Sequence, residues 1–309
     1  MNGACTTVTS DEVANIQGRK GRKMGKYRKI LVAIDGSEAS MHALRQSMKL
    51  AADEKSWIIV VSVIPKYEGD LGSMWVDNIY ASMKRPCDMA LAKAQELAEE
   101  GRVSIKTICE EGEIYERIAD LAEAENCSLI VMGRKEMGKI ERSLMGSVTA
   151  RVIGYAHRDV LVVPEGSVIG WGNILLATDG SKYSEAAVER AINFAAAYGS
   201  VLHVLSIVDI PSEFYSHVKA LDAADELIKN ARSSVEAVQK KAAEQGIATT
   251  TFVKEGDASK TITKYATDQK IDIIVIGSHG RTGLRRLLMG STAEGVIRNS
   301  TCAVLVAVI

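Results

Sequence analysis

The chain has 309 residues, 47% of them hydrophobic and 25% charged, with 38 Lys and Arg against 39 Asp and Glu for a formal net charge of −1. That apolar content, with only four prolines, excludes a disordered or collagen-like chain, and the length predicts two domains. No apolar run reaches the roughly 20 residues that span a bilayer, and the first ten residues lack the apolar core of a secretory signal, so the expected setting is cytoplasmic.

In chain order, the first feature is a basic block. Arg19, Lys20, Arg22, Lys23, Lys26, Arg28 and Lys29 lie together without an acid, and removing these seven leaves 31 bases against 39 acids. Residues 1–27 read as a flexible leader: either an arm for an anionic partner or a solvated lead-in to the first strand. Short, β-branched apolar runs follow at Lys29–Ile34, Trp57–Val63, Val103–Ile108, Ser128–Met132 and Val160–Val163. Such runs suit strands buried on both faces. Helical stretches at Glu38–Asp53, Ile79–Glu100, Glu113–Glu125 and Ser147–Tyr155 separate them.

After a glycine-bearing joint at residues 165–172 the same order returns. Strands are expected at Asn173–Thr178, Val201–Val208, Thr249–Val253, Asp272–Ile276 and Ala303–Val308, and helices at Ser184–Tyr198, Lys219–Gln245, Ala258–Asp268 and Ser291–Arg298. Strand–helix alternation predicts parallel pairing with right-handed crossovers. The fold class is therefore α/β: two tandem open α/β sandwiches, over residues 28–164 and 173–309.

The second half copies the first. ILVAIDGS at Ile30–Ser37 returns as ILLATDGS at Ile174–Ser181, an offset of 144 that also carries Gly133 to Gly277 and Arg142–Ser147 to Arg286–Ser291. No histidine position recurs, so no metal site shared by both halves is expected. The five cysteines show no CxxC or ligand spacing, and Cys109 and Cys127 face Val253 and Ile271 in the copy. They read as reduced, buried filler.

Open parallel sheets bind ligands beyond the carboxyl ends of their strands. The first strand of each half ends in Asp-Gly-Ser, Asp35–Ser37 and Asp179–Ser181, which presents a carboxylate at a turn and also suits a plain helix cap. After the fourth strand of the second half, Gly277, Gly280 and Gly290-Ser291 lead into the last helix. There, open N–H groups and the helix dipole favour phosphate. The spacing is GxxGxxG after a fourth strand, which argues against a dinucleotide fold. In the first half, Ile140 stands where a phosphate-binding loop of the GxxxxGK[ST] type needs a hydroxyl.

The pattern Gly277-x2-Gly280-x9-Gly290-Ser291, with Asp179-Gly180-Ser181, resembles the ATP-binding pattern of the universal stress protein (UspA-like) family, in its tandem two-domain form. The resemblance implies a five-stranded parallel sheet of order 3-2-1-4-5 in each half, flanked by helices, with an adenine nucleotide between the first and fourth strands. It implies contacts from Ala177 and Asp179, from Ile207 beside the adenine, and from Ile276 and Gly277 along base and ribose. Gly280, Gly290, Ser291 and Thr292 would surround ribose and phosphates. The corresponding weaker site of the first half comprises Asp35, Val63, Met132, Gly133, Gly146, Ser147, Val148 and Thr149. There Glu136 replaces the middle glycine and would repel phosphate, a charge that Arg134 and Lys135 are placed to offset.

The leading expectation is thus a cytoplasmic stress-response protein that binds ATP, or AMP or ADP in its place, with Mg²⁺, mainly in the second domain, as a regulatory ligand. Against it stand a slow ATPase or nucleotide-handling enzyme, for which His279 and Asp179 are the candidate bases, and a nucleotide-independent scaffold, to which Glu136 points. No catalytic residue is assigned. The resemblance also implies self-association through the last strands: Val160–Val163 with Ala303–Val308 as an intramolecular pseudo-dimer, with room for a homodimer of tandem units.

Overall fold

The computed structural model describes residues 27–66, 76–135, 146–209, 218–280 and 289–308. Five of the seven cations of the basic block therefore lie outside the described residues, whereas Arg28 and Lys29 belong to the start of the fold. In the first domain the order is β1 (Lys29–Ala33), α1 (Glu38–Glu54), β2 (Trp57–Pro65), α2 (Val76–Glu100), β3 (Ile105–Gly112), α3 (Ile114–Ala124), β4 (Leu129–Arg134), α4 (Ser147–Tyr155) and β5 (Asp159–Pro164). The second domain repeats it: β6 (Asn173–Ala177), a 3₁₀ turn (Lys182–Ser184), α5 (Glu185–Tyr198), β7 (Val201–Val208), α6 (Val218–Ala243), β8 (Thr249–Glu255), α7 (Ala258–Asp268), β9 (Ile273–Gly277), α8 (Ser291–Asn299) and β10 (Ala303–Ala307).

The ten strands form one sheet in the order β3-β2-β1-β4-β5-β10-β9-β6-β7-β8. Each half is parallel within itself in the expected order 3-2-1-4-5, and the halves meet where β10 runs antiparallel to β5, pairing Val304 with Val162, Leu305 with Leu161 and Val306 with Val160. The central strands are apolar along their whole length because both faces are covered. One face carries α1, α2, α5 and α6, the other α3, α4, α7 and α8, and both cores run unbroken through the two domains. At the outer edge β3 runs on to Gly112, four residues past the expected end, pairing with β2 from Ile58–Ile105 to Pro65–Gly112. Acids such as Glu110 and Glu111 end an apolar pattern but not an edge strand, which keeps one side in water.

The junction is held by a buried carboxylate. Asp159 is 4% exposed at the start of β5. It accepts from the Tyr27 hydroxyl at 2.8 Å, from Arg190 Nε on α5 at 2.6 Å and from the Val308 amide at 3.2 Å. A buried carboxylate is costly unless it is paired and hydrogen-bonded, and here the donors come from both domains. The joint between the domains is equally tied down. Trp171 stacks on Phe194 and Tyr198 with centroids at 4.5 and 4.7 Å, the Ile169 amide donates to Gln46 Oε1, and His42 meets the Ser167 carbonyl.

The cysteines need a correction. Cys127 and Cys302 are buried filler, and burial pushes the Cys127 thiol up to about 11. Cys87 and Cys109 are instead joined as a disulfide, with Cα atoms 6.5 Å apart. Packing α2 across β2 brings it over β3, so residues separated by 22 positions in the chain meet, which no local spacing reveals.

Burial, with the neighbouring Asp159 charge, pushes the Tyr27 phenol well above its ordinary 10. Above pH 10 the unfolded chain therefore holds fewer protons than the folded one, and stability falls as pH rises. Urea midpoints should show this alkaline decline, and Tyr27→Phe should flatten it while costing about 1–2 kcal/mol at neutral pH from the lost hydrogen bond. Equal alkaline slopes in the two proteins would contradict the assignment.

Candidate functional site

Parallel strands leave a cleft at their carboxyl ends where the chain departs to opposite faces. In the second domain that cleft lies beyond β6, β7 and β9. Asp179 follows β6, and its Oδ1 accepts the Ser181 amide at 2.9 Å across Gly180, which sits at φ +72°. The first domain repeats the turn: the Ser37 amide meets Asp35 Oδ1 at 3.0 Å across Gly36 at φ +82°. Both glycines occupy the left-handed region, where a Cβ is strained. At Asp35, burial raises the carboxyl pKa but the hydrogen bonds from Ser37 and Ser40 outweigh it, leaving the group below its usual range.

β9 ends on Gly277 against the 3₁₀ turn, where a Cβ would stand 2.8 Å from the Tyr183 carbonyl oxygen. At the matching Gly133 it would stand 2.3 Å from the Ala39 carbonyl oxygen. This recurring glycine is demanded by backbone packing in both copies. Gly280 faces Asp179, its Cβ position 3.2 Å from Oδ2. The Gly290 amide donates to the Ser278 carbonyl at 2.9 Å, which sets the start of α8 beside the end of β9. Gly290 is the N-cap of α8 and offers no side chain to its first-turn amides.

These elements enclose a cavity of about 430 Å³. All nine residues expected in the second-domain site line it: Ala177, Asp179, Ile207, Ile276, Gly277, Gly280, Gly290, Ser291 and Thr292. Sequence reasoning missed Leu205, Asp209, Ala258 and Ile262, which also line it. Leu205 was accessible through strand alternation, two residues before Ile207 on the same face of β7. Ala258 and Ile262 stand on α7, and only tertiary packing brings that helix over the cleft. The walls are chemically divided. Leu205, Ile207, Ile262 and Ile276 form an apolar slot suited to a planar ring, Asp179 and Asp209 suit hydroxyl donors, and the α8 N-terminus with Ser291 and Thr292 suits an anion. Among the described residues no group of three or more His, Cys, Asp or Glu is arranged to hold a metal ion.

The first-domain candidates divide differently. Asp35, Val63, Met132 and Gly133 lie at or just beyond the ends of β1, β2 and β4, Gly146 caps α4, and Ser147, Val148 and Thr149 form its first turn. Glu136 and the rest of residues 136–145 lie outside the described residues. The Arg134 guanidinium reaches into the other domain. Its Nη1 donates to the Arg298 carbonyl at 3.2 Å and its Nη2 to the Ser300 carbonyl, which ties β4 to the C-terminal end of α8 in the other domain. Among the described residues no helix is long and apolar enough to cross a membrane.

Comparison with known proteins agrees with this architecture. The model of the universal stress protein family matches residues 26–164 and 170–307. Universal stress protein MJ0531 of Methanocaldococcus jannaschii is 36% identical over 135 residues, covering 43% of this chain and 79% of the relative. A universal stress protein of Mycolicibacterium smegmatis is 23% identical over 290 residues, covering 90% of this chain and 96% of its own. Among solved structures, a universal stress protein from Archaeoglobus fulgidus superposes with a TM-score of 0.69 at 21% identity, covering 91% of this chain and 96% of its own, which speaks for the fold.

The packing at the two recurring glycines yields a test. Gly277→Ala and Gly133→Ala should each lose about 1–3 kcal/mol in urea unfolding, because a backbone carbonyl must move. Gly290→Ala, whose Cβ would lie 3.4 Å from the Ser278 carbonyl oxygen, should lose clearly less. Equal losses at all three would show that the glycines are not set by these contacts.

Proposed function

Because the chain belongs to the universal stress protein family, we propose that its second domain binds an adenine nucleotide, ATP or its di- or monophosphate, as a regulatory ligand. One observation carries the reading. A single cavity combines an apolar slot, the Asp179 and Asp209 carboxylates and an uncapped helix N-terminus. The slot would take the base, the carboxylates the ribose hydroxyls, and the Gly290–Thr292 amides and hydroxyls the phosphates. Mg²⁺ would enter with the phosphates, since the described residues build no cage for it and this ion commonly keeps most of its waters.

In this reading the protein works in the cytoplasm, and occupancy shifts its conformational populations in proportion to the difference in affinity between states. The β5–β10 pairing supports a pseudo-dimer of the two domains within one chain, and homodimers of that unit and an anionic partner for the basic leader belong to the same proposal. Slow hydrolysis is a second reading, favoured by the presence of both His279 and Asp179 on the cavity wall.

Denaturing the purified protein should release an adenine nucleotide, and millimolar ATP with Mg²⁺ should raise Tm, since ligand at about 100 times Kd stabilises by about 2.7 kcal/mol. Gly280→Glu sets a second carboxylate beside Asp179 and should abolish that rise. Neither released nucleotide nor a Tm response in the parent protein would overturn the proposal. Turnover of ATP lost in His279→Ala would establish the second reading.

A further inference from the structure

We propose that Cys87 and Cys109 are a reversible dithiol–disulfide couple, oxidised by hydroperoxides and reduced by thiols, that clamps α2 onto the edge strand β3 of the first domain. The inference is independent of the nucleotide reading.

Three observations carry it. The two sulfurs covalently join α2 to β3, which also share the Tyr80–Glu111 hydrogen bond of 3.3 Å, and they differ in access. Cys87, on the inner face of α2, is 3% exposed with its sulfur 3.6 Å from the Ser62 carbonyl oxygen, whereas Cys109 is only partly buried, on the outermost strand. An attacking thiol therefore reaches Cys109 first.

The repeat supplies the second observation, an internal reference. At the offset of 144 the equivalent positions are Ala231, fully buried, and Val253, packed against the apolar core on that face of the sheet. An apolar pair satisfies this packing in the second domain, so the fold does not require sulfur there, and the cross-link is an added property of the first domain. Third, the other described cysteines are withdrawn from this chemistry. Cys127 and Cys302 are buried, and desolvation raises both thiols, so little thiolate is available to react.

The chemistry balances. In the reduced protein the Cys109 thiolate attacks a hydrogen peroxide oxygen, the O–O bond breaks, and a sulfenic acid and, after protonation, one water form. The Cys87 thiol then attacks the Cys109 sulfur, the S–O bond breaks, and a second water leaves with the thiol proton. Overall, two thiols lose two electrons and two protons to the peroxide. In the reverse direction a thiolate attacks the Cys109 sulfur and expels Cys87, which takes a proton, and a second thiol of the reductant displaces Cys109. Three residues along α2 from Cys87, Ala90 packs 3.5 Å from the position a Cβ would take on Gly36. The clamp therefore fixes the helix face that covers the Asp35-Gly36-Ser37 turn.

The test uses the full-length chain, reduced with dithiothreitol and then exposed to a small molar excess of hydrogen peroxide. Denaturing alkylation should add five groups to the reduced chain and three to the oxidised one, given its five cysteines. A tryptic map should then join peptide 85–93 to peptide 107–117, and dithiothreitol should separate them. Reduction should lower Tm by roughly 5 °C or more. The double variant Cys87→Ala, Cys109→Val, which copies the second domain, should show no such shift. Five alkylated groups after peroxide, a linkage through Cys5, or a dithiothreitol-dependent shift that survives in the double variant would each overturn the proposal. The peptide map on the parent protein decides the point even where the variant is unstable.

Discussion

One buried carboxylate constrains this molecule more than any other group. Asp159 sits where β5 meets β10, and it is tolerable there only because a phenol, a guanidinium and a backbone amide converge on it. Those donors come from Tyr27, two residues before β1, from α5 and from Val308, just past the last strand. Satisfying one charge therefore requires both domains to be folded and docked. The docking has a second physical return: β5 beyond Asp159 and all of β10 would each be an exposed apolar sheet edge, and pairing them removes that liability.

The antiparallel junction also decides where the clefts lie. Strands within each half run parallel, and β5 opposes β10, so the carboxyl ends of the two halves face opposite edges of one sheet. The carboxyl end of β4 thereby comes beside the C-terminal end of α8. Arg134 spans that gap, and a cation at a helix C-terminus complements its dipole. The position equivalent to Arg134 in the second domain is Ser278, which lines the candidate cavity. Duplication thus left one position with two tasks: cavity wall in one copy, interdomain brace in the other.

Much of this was legible in advance for a simple reason. Strands covered on both faces must be apolar throughout, helices that cover them must alternate with them, and both signals are local. Asp179, Gly277, Gly280, Gly290, Ser291 and Thr292 were legible because a glycine-rich strand exit, an Asp-Gly-Ser turn and a helix start are each short motifs, whereas Ala177, Ile207 and Ile276 came with the family resemblance. What escaped was non-local. Ile262 reaches the cavity from α7, Asp159 finds Arg190 across 31 residues, and Cys87 finds Cys109 across a crossover. The repeat even misled at Cys109, because a valine in the copy suggests filler, whereas sulfur at the same position has a partner within reach.

The sequence by itself determined two α/β units and the short motifs around one cleft, because each depends on periodicity, on turn chemistry or on a duplicated pattern; the strand order came with the family resemblance that those motifs carry. Tertiary structure decided the antiparallel register in which those units join, which charges are buried, which glycines are obligatory and which thiols are paired. Those outcomes depend on distances between elements remote in the chain, and such distances are set only when the whole sheet and its helices pack together.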